Sequence, residues 1–453
     1  MLSRSREAVA PLYLFACLIL GGSAQGIWQN MLLQVAGLAI IAWAAAAAGE
    51  PLLPAARQLL LIAIAAIAVV AVQLVPVPIS LWSRLGGRAG IAAGYKLLQL
   101  NPSALPLSLA PYSSLNSLLG LIPPLAIFCA IVRLKGTRSS WLAGALLAGA
   151  VAGIMLGAVQ VASSNSAQSP WYLYEETNVG VAVGFFANAN HMATLLVIAL
   201  PFLAAIVAAG RSANLQGYSA LLALVAGAAL VIVVGIALNG SLAGYGLALP
   251  VLAASALIVL PPNSRARLWT LVLAALLMVG VLAALATTSI SGGKIGGGAE
   301  TSVESRAEIL ATSASALKDF LPLGSGLGSF QNVYHLYERP TQITTTYVIH
   351  AHNDYVELAL ETGVLGVLVM LAFLLWWAAA VWRVWRTAEA GAFARAATIA
   401  SAAILAHSLV DFPLRTAAIS ACFAMCVALM ADRRAPQPVG STDLRPTRHV
   451  EFR

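Results

Sequence analysis

Charge is what this chain has least of. Only 9% of its 453 residues are Asp, Glu, Lys or Arg, while 60% are hydrophobic; an ordinary soluble domain carries about 25% charged residues. So few charges cannot cover the surface of a water-soluble protein of this length, and an integral membrane protein is expected. The net charge of +8 does not point to nucleic acid, because the basic residues sit in short clusters between apolar runs, without a basic stripe or interleaved aromatics. Cysteine is also scarce. Cys17, Cys129, Cys422 and Cys426 all lie within apolar runs, which excludes a disulfide framework or zinc spacing and leaves them as small apolar filler. No internal repeat of the kind often seen in transporters is present. The apolar runs between residues 141 and 287 hold no Asp, Glu, Lys or Arg in their interiors, which weighs against ion-coupled transport through the membrane midplane. The glycine-rich run 324–328 has no P-loop lysine and follows a helix, so it reads as a turn.

What is present is a series of apolar windows of about 20 residues, the length of a membrane helix. They fall at 8–24, 28–48, 57–75, 114–132, 141–162, 189–209, 218–238, 242–260, 268–287, 355–381, 396–411 and 415–431. The pattern predicts an all-α polytopic membrane protein with about twelve transmembrane helices. The basic start Ser3-Arg4-Ser5-Arg6 resembles a signal peptide, but a second span follows at once, so a retained first helix is expected. With the N-terminus in the cytoplasm, the cytoplasmic connections and tail carry seventeen Lys and Arg and the longer outer connections eight, as the positive-inside rule requires. Both termini are then cytoplasmic. Residues 1–453 form a single integral membrane domain, with a large outer (periplasmic) loop at 288–354 and a cytoplasmic tail at 432–453. The two other outer segments are 76–113 and 163–188. The long loop opens with a flexible glycine-rich stretch, 291–298. Val303, Ala307, Leu310, Ala314 and Leu317 then recur at helical spacing, predicting an amphipathic helix that lies on the bilayer or caps the bundle.

Polar residues collect at the outer ends of the spans. The densest group runs from His350 through His352, Asn353 and Asp354 to Glu357 and Glu361. Ionisable groups at a membrane edge are functional candidates. His352 is the leading one, since a neutral imidazole accepts a proton from an attacking hydroxyl at ambient pH. His350 stands beside it, but two histidines do not complete a metal site. Asp354 as N-cap with Glu357 three residues on reads as a capping box. Glu361, one turn deeper, needs a partner. Arg306 borders the apolar stripe of its helix, where a guanidinium can grip a diphosphate or hydrogen-bond a surface carboxylate. Asn188, Asn190 and His191, then Asn239 and Ser241, mark further outer ends. His407, Asp411 and Arg415 follow at four-residue intervals and either line a corner of the site or hydrogen-bond the turn at Pro413.

Four stretches resemble the O-antigen ligase and polysaccharide polymerase superfamily of bacterial envelope glycosyltransferases. They are GFFANANHMATLL (184–196), SRAEIL with PLGSGLGSF (305–330), HAHNDYVELALETGVLG (350–366) and HSLVDFPLR (407–415), joined by the early segment VPVPISLWSRLGGR (75–88). The resemblance implies a GT-C-like helical architecture and an inverting, metal-independent glycosyltransferase without cofactor. Its donor would be a glycan on undecaprenyl diphosphate at the outer face of the bacterial inner membrane, and its acceptor a lipid A core or a second glycan. His352 matches the family's essential histidine and Arg306 its outer-loop arginine. His350, Asn353, Glu361, Asn188, Asn190, His407, Asp411 and Arg415 are then expected around the substrates. One departure stands out. Many members carry Ser-Arg at the start of the span after the short outer turn, whereas Ser241 is followed here by Leu242, which leaves that arginine's role vacant or to Lys294, Arg339 or Arg415. A flippase or exporter of lipid-linked glycans, or a non-catalytic part of an assembly complex, are the alternatives.

Overall fold

The computed structural model describes residues 2–47, 51–134, 137–163, 169–261, 264–291, 299–340, 347–387 and 390–431, with side chains except at 2–5, 282–291 and 299–305. The glycine-rich stretch 292–298 with Lys294, the side chain of Val303 and the tail 432–453 lie outside the described residues. All twelve apolar windows fall on helices. In chain order these are α1 (Leu2–Leu20), α2 (Ile27–Ala46), α3 (Pro54–Gln73), α4 (Ile79–Trp82), α5 (Ala89–Leu97), α6 (Pro111–Gly120), α7 (Ile122–Arg133), α8 (Ser139–Ala162), α9 (Ala189–Ser212), α10 (Tyr218–Asn239), α11 (Leu242–Val259), α12 (Arg265–Ser291), α13 (Ala299–Phe320), α14 (Phe330–Tyr337), α15 (Asp354–Arg386), α16 (Ala392–His407) and α17 (Ala417–Ala431). Among the described residues, eight stretches are long and apolar enough to cross a membrane: α2, α3, the α6–α7 pair, α8, α9, α10, α11 and α15. The helices α16 and α17 are apolar but shorter.

The helix α9 is the hub. It packs against α8, α10, α11 and α16, and nearly every side chain from His191 to Leu203 is buried. Close approach of α16 follows from its row of small residues, with Ala396, Ala397, Ala400 and Ala403 all buried; small side chains let backbones meet where lipid offers no hydrophobic driving force. The helices α10 and α11 are apolar all round, as lipid-facing helices are. The window at 114–132 is not one straight helix. It divides at Leu121 into α6 and α7, because Pro123 and Pro124 cannot continue the hydrogen-bond ladder behind them.

The segment 76–113 holds what the periodicity did not foretell. Strand β1 (Pro76–Pro78) pairs antiparallel with β2 (Ala104–Pro106), Val77 opposite Leu105. Proline tolerates such short edge pairing. This lap holds Arg88, a fully buried arginine, whose guanidinium donates to the carbonyls of Gly86, Leu107 and Gly324. It lies over the rings of Trp82 and Phe320. Burial pushes its pKa down to about 10, still charged at neutral pH. Arg88 therefore ties the early lap to the glycine-rich run 324–328.

The amphipathic reading of α13 is correct in kind and wrong in face. Its buried side is Ile309, Thr312, Ser313, Ala316 and Phe320, whereas Ala314 is exposed and Ala307, Leu310 and Leu317 are half-buried. The difference of about one position arises because Ser313 donates its hydroxyl to the carbonyl of Ile309 and so enters the interior without an unmet polar group. The helix packs on α14 and α15. Together they enclose a second small core of Ile309, Ala316, Phe320, Phe330, Val333, Tyr334, Ala351 and Leu360.

Candidate functional site

The start of α15 is capped by Asn353, not Asp354. The Asn353 side-chain oxygen accepts from the backbone N–H groups of Tyr355 and Val356, and its amide donates to the carbonyl of Leu409. The expected capping box is thereby overturned: Asn353 presents an equally good cap one residue earlier, and tertiary partners claim the two acids. Asp354 accepts from Ser408, and Glu357 from His350 Nδ1 at 2.8 Å and from the backbone N–H of Ala351.

Asp354, Glu357 and Glu361 lie three and four residues apart, on one face of α15, and Arg415 reaches all three. Its Nη2 is 3.1 Å from Glu357 and 3.2 Å from Glu361, and its Nε is 3.5 Å from Asp354. Burial disfavours the charge on Arg415, but the carboxylates of Glu357, Glu361 and Asp354 outweigh it and raise its pKa above the ordinary arginine value. The partner of Glu361 is thus Arg415, with the backbone N–H of Phe330 on the other oxygen.

Two residues beyond Glu361 the helix is broken. Gly363 has φ 63° and ψ −156°, a region open to glycine alone. The N–H of Val364 bonds the carbonyl of Pro322, and the Leu360 carbonyl it would meet in an unbroken helix is taken by Ser325. The Glu361 carbonyl accepts from Gly326 and from Gln73 Nε2. The run 324–328 is therefore a seam laid into the break in α15. A Cβ on Gly363 would meet the Pro322 carbonyl oxygen at 2.2 Å. Gly363→Ala is expected to destabilise the fold by about 3 kcal/mol or more, the backbone strain and this clash adding. Thermal unfolding of the purified protein checks it against Gly90→Ala, where nothing lies within 4 Å and stability should hold.

The second half of the site is built on Asp411, in the turn after α16. Asp411 accepts from Asn190 Nδ2 and from the backbone N–H of Phe412. Asn190 in turn accepts from Ser241 Oγ at 2.7 Å, and Asn188 caps α9 by accepting from the N–H of Asn190. Three imidazoles face this carboxylate. His352 Nδ1 is 3.3 Å from Oδ1 and His407 Nε2 is 4.0 Å from Oδ2, with His191 close by. Burial opposes ionisation of Asp411, but His352 first, then His191 and His407, outweigh it and hold the carboxyl well below the ordinary carboxylate range. The His352 contact lies off the strict hydrogen-bond axis. His352 itself has φ 49°, a left-handed backbone uncommon outside glycine that Asn, Asp and His adopt more readily than other side chains. Its side chain is 26% exposed. With Nδ1 turned to Asp411, Nε2 is the nitrogen left for a substrate.

Phe412 organises the histidines. Its ring lies 4.1 Å from that of His350 and 5.1 Å from those of His191 and His352. Four of the chain's six histidines thus surround one Asp-Phe dipeptide. His407 Nδ1 meets Thr194 Oγ1 at 2.6 Å, and Arg306 lies within electrostatic reach of His407. Among the described residues Arg306 makes no hydrogen bond or ion pair, whereas Arg415 is held by three carboxylates through Nε and Nη2. Of the residues expected around a substrate, Asn190, Asn353, Glu361 and Asp411 have their side-chain polar atoms bonded to protein partners, while Asn188 uses its oxygen to cap α9 and Arg415 its Nε and Nη2 to meet the carboxylates. Among the described residues Arg306 has no such partner. Phe412 and Arg88 were not legible as site residues, and only the neighbouring Asp411 and the glycines of 86–87 hinted at them.

These features define a class: a polytopic helical membrane protein with a histidine–carboxylate–arginine site at one end of its bundle. Residues 227–371 match the family model described as O-antigen ligase, and this match supports the O-antigen ligase-related family. Ligase- and polymerase-type enzymes of polysaccharide assembly, acting on lipid-linked glycans, make up that family. The matched stretch contains Arg306, His352, Glu357 and Glu361 but stops short of Asp411 and Arg415. No curated protein matches the chain.

Proposed function

We propose that this protein transfers an oligosaccharide or polysaccharide from undecaprenyl diphosphate to an acceptor hydroxyl at the periplasmic face of a bacterial inner membrane. The observation that carries this reading is the His352–Asp411 pair, with Arg306, unpaired among the described residues, in electrostatic reach of the neighbouring His407. In the reaction the acceptor oxygen attacks the anomeric carbon of the donor sugar. The bond from that carbon to the diphosphate breaks with inversion, and the hydroxyl proton passes to His352 Nε2. Asp411 stabilises the imidazolium, and Arg306 takes up the charge on the departing diphosphate. Imidazole and guanidinium supply the proton acceptor and the countercharge, so the reaction as written calls on no metal or cofactor. Asn188, Asn190 and Asn353 hold the scaffold, and Glu361 and Arg415 position the helix that carries His352.

The sidedness follows from charge. The end of the bundle away from the histidines carries Arg138, Arg211, Arg267, Arg386 and Arg395, with Arg267 and Arg395 both against Trp385. Under the positive-inside rule the basic end is read as the cytoplasmic one. In this reading the chain makes twelve crossings in a single GT-C-like domain over 1–453, with 288–354 periplasmic and both termini, including 432–453, cytoplasmic. The acceptor is a lipid A core for a ligase and a second lipid-linked glycan for a polymerase.

The test is transfer by the purified protein in nanodiscs, given an undecaprenyl-diphosphate oligosaccharide and a candidate acceptor. Release of undecaprenyl diphosphate with a lengthened acceptor is expected. Movement of the donor across the bilayer without transfer would establish an exporter, and no consumption without added partners would establish an assembly component.

A further inference from the structure

The helix α14 has two faces. Phe330, Val333 and Tyr334 enter the small core and Tyr337 packs at its edge against Phe320, while His335 lies on the other side. His335 Nδ1 is 2.8 Å from Glu338 Oε2. A carboxylate oxygen accepts here, so Nδ1 is the donor, and in the neutral imidazole Nε2 carries the lone pair. That Nε2 is buried without a hydrogen-bond partner among the described residues, and a native orphan of this kind calls for an explanation. The His335 ring lies 4.3 Å from that of Tyr347, and Tyr347 is 64% exposed. Beside them the Tyr337 hydroxyl donates to Asp319 Oδ2 at 2.7 Å. Asp319 and Glu338 each keep a second oxygen with no partner among the described residues.

Aromatic rings here lie next to three acceptors that have no donors among the described residues. A phosphate would be repelled by the two carboxylates. A pyranose fits, since it presents an apolar C–H face to a ring and hydroxyl donors at its edge. The location is equally specific. Tyr347 precedes His352 by five residues, so at most about 18 Å of extended chain separates them. Val348 and Ala351 of the connecting segment pack into the same small core as Phe330 and Tyr334, so the two places are held in fixed relation. We infer that His335, Tyr337 and Tyr347, with Asp319 and Glu338, form a glycan subsite that holds the sugar chain beyond the unit reacting at His352. This rests on the transferase reading and adds where the glycan lies.

The experiment measures binding of lipid-free oligosaccharides, released by mild acid from the source bacterium's own surface polysaccharide, to the full-length protein in detergent by saturation-transfer NMR. Parent protein and His352→Ala should bind alike, while Tyr347→Ala and Glu338→Gln should each weaken binding by about ten-fold. Tyr347→Phe, which keeps the ring, should retain most of it. Tyr347 is exposed, so thermal unfolding of its variants should match the parent. Parent-like binding by Tyr347→Ala and Glu338→Gln, or no binding by the parent, would overturn the subsite. Binding that follows the expected pattern in a protein with no transfer activity would instead retain the subsite and remove the transferase reading.

Discussion

His352→Ala is expected to lower glycan transfer by about 10²–10⁴-fold, the range that a positioned general base contributes, with membrane insertion and yield unchanged. The imidazole meets three requirements together: partial exposure, an ionised carboxylate behind it and a ring fixed against Phe412. Its left-handed backbone adds a complication, because alanine disfavours φ 49° and could lower stability on that ground alone. His352→Asn separates the two effects, since asparagine tolerates this conformation and offers a hydrogen bond but no comparable base. It should fold like the parent and remain inactive. Parent-like transfer by either variant would remove His352 from the chemistry. The carboxyl of Asp411 is held below the ordinary carboxylate range, so its stabilising contribution is present above about pH 4 and is lost only as pH falls further. Loss of transfer on acidification at higher pH therefore cannot be ascribed to protonation of Asp411.

Arg415→Ala carries the largest expected effect on stability, a loss of about 3–5 kcal/mol as for other broken buried pairs. Removing the guanidinium leaves Asp354, Glu357 and Glu361 on one helix face with His350 as the remaining cation-forming partner of Glu357. Two of the three are fully buried. Unfolding temperature in a fixed detergent reads the loss. The combination Arg415→Met with Glu357→Gln and Glu361→Gln should recover much of it, because the penalty comes from uncompensated charge more than from missing attraction. If Arg415→Ala unfolds like the parent and loses transfer alone, then Arg415 serves the donor directly and the cage is not its main role.

The parts of this site that were legible in the sequence are those where chemistry and position coincide. An ionisable residue at the end of an apolar run is conspicuous, so His350, His352, Glu361, His407, Asp411 and Arg415 stood out. Their pairing did not. Arg415 and Glu361 are 54 residues apart, as are Ser408 and Asp354, and no local period relates them. The cap at Asn353 illustrates the same limit. Two adjacent residues were both competent to cap, and the contest was decided by Ser408 and Arg415, which are distant in sequence. Arg88 was counted as one more outer arginine because spacing cannot tell a lipid-facing guanidinium from one enclosed by carbonyls.

Hydropathy, the scarcity of charge and the placement of Lys and Arg determined by themselves that the chain is a helical membrane protein with its polar residues at one end. Those properties follow from transfer between water and lipid, which acts on each segment alone. Tertiary structure decided which polar groups are spent on one another and which remain for a substrate. The outer ends hold more hydrogen-bonding groups than a substrate needs, and burial forces most to find partners. Only the fold reveals that three carboxylates converge on Arg415, while among the described residues Arg306 makes no hydrogen bond or ion pair.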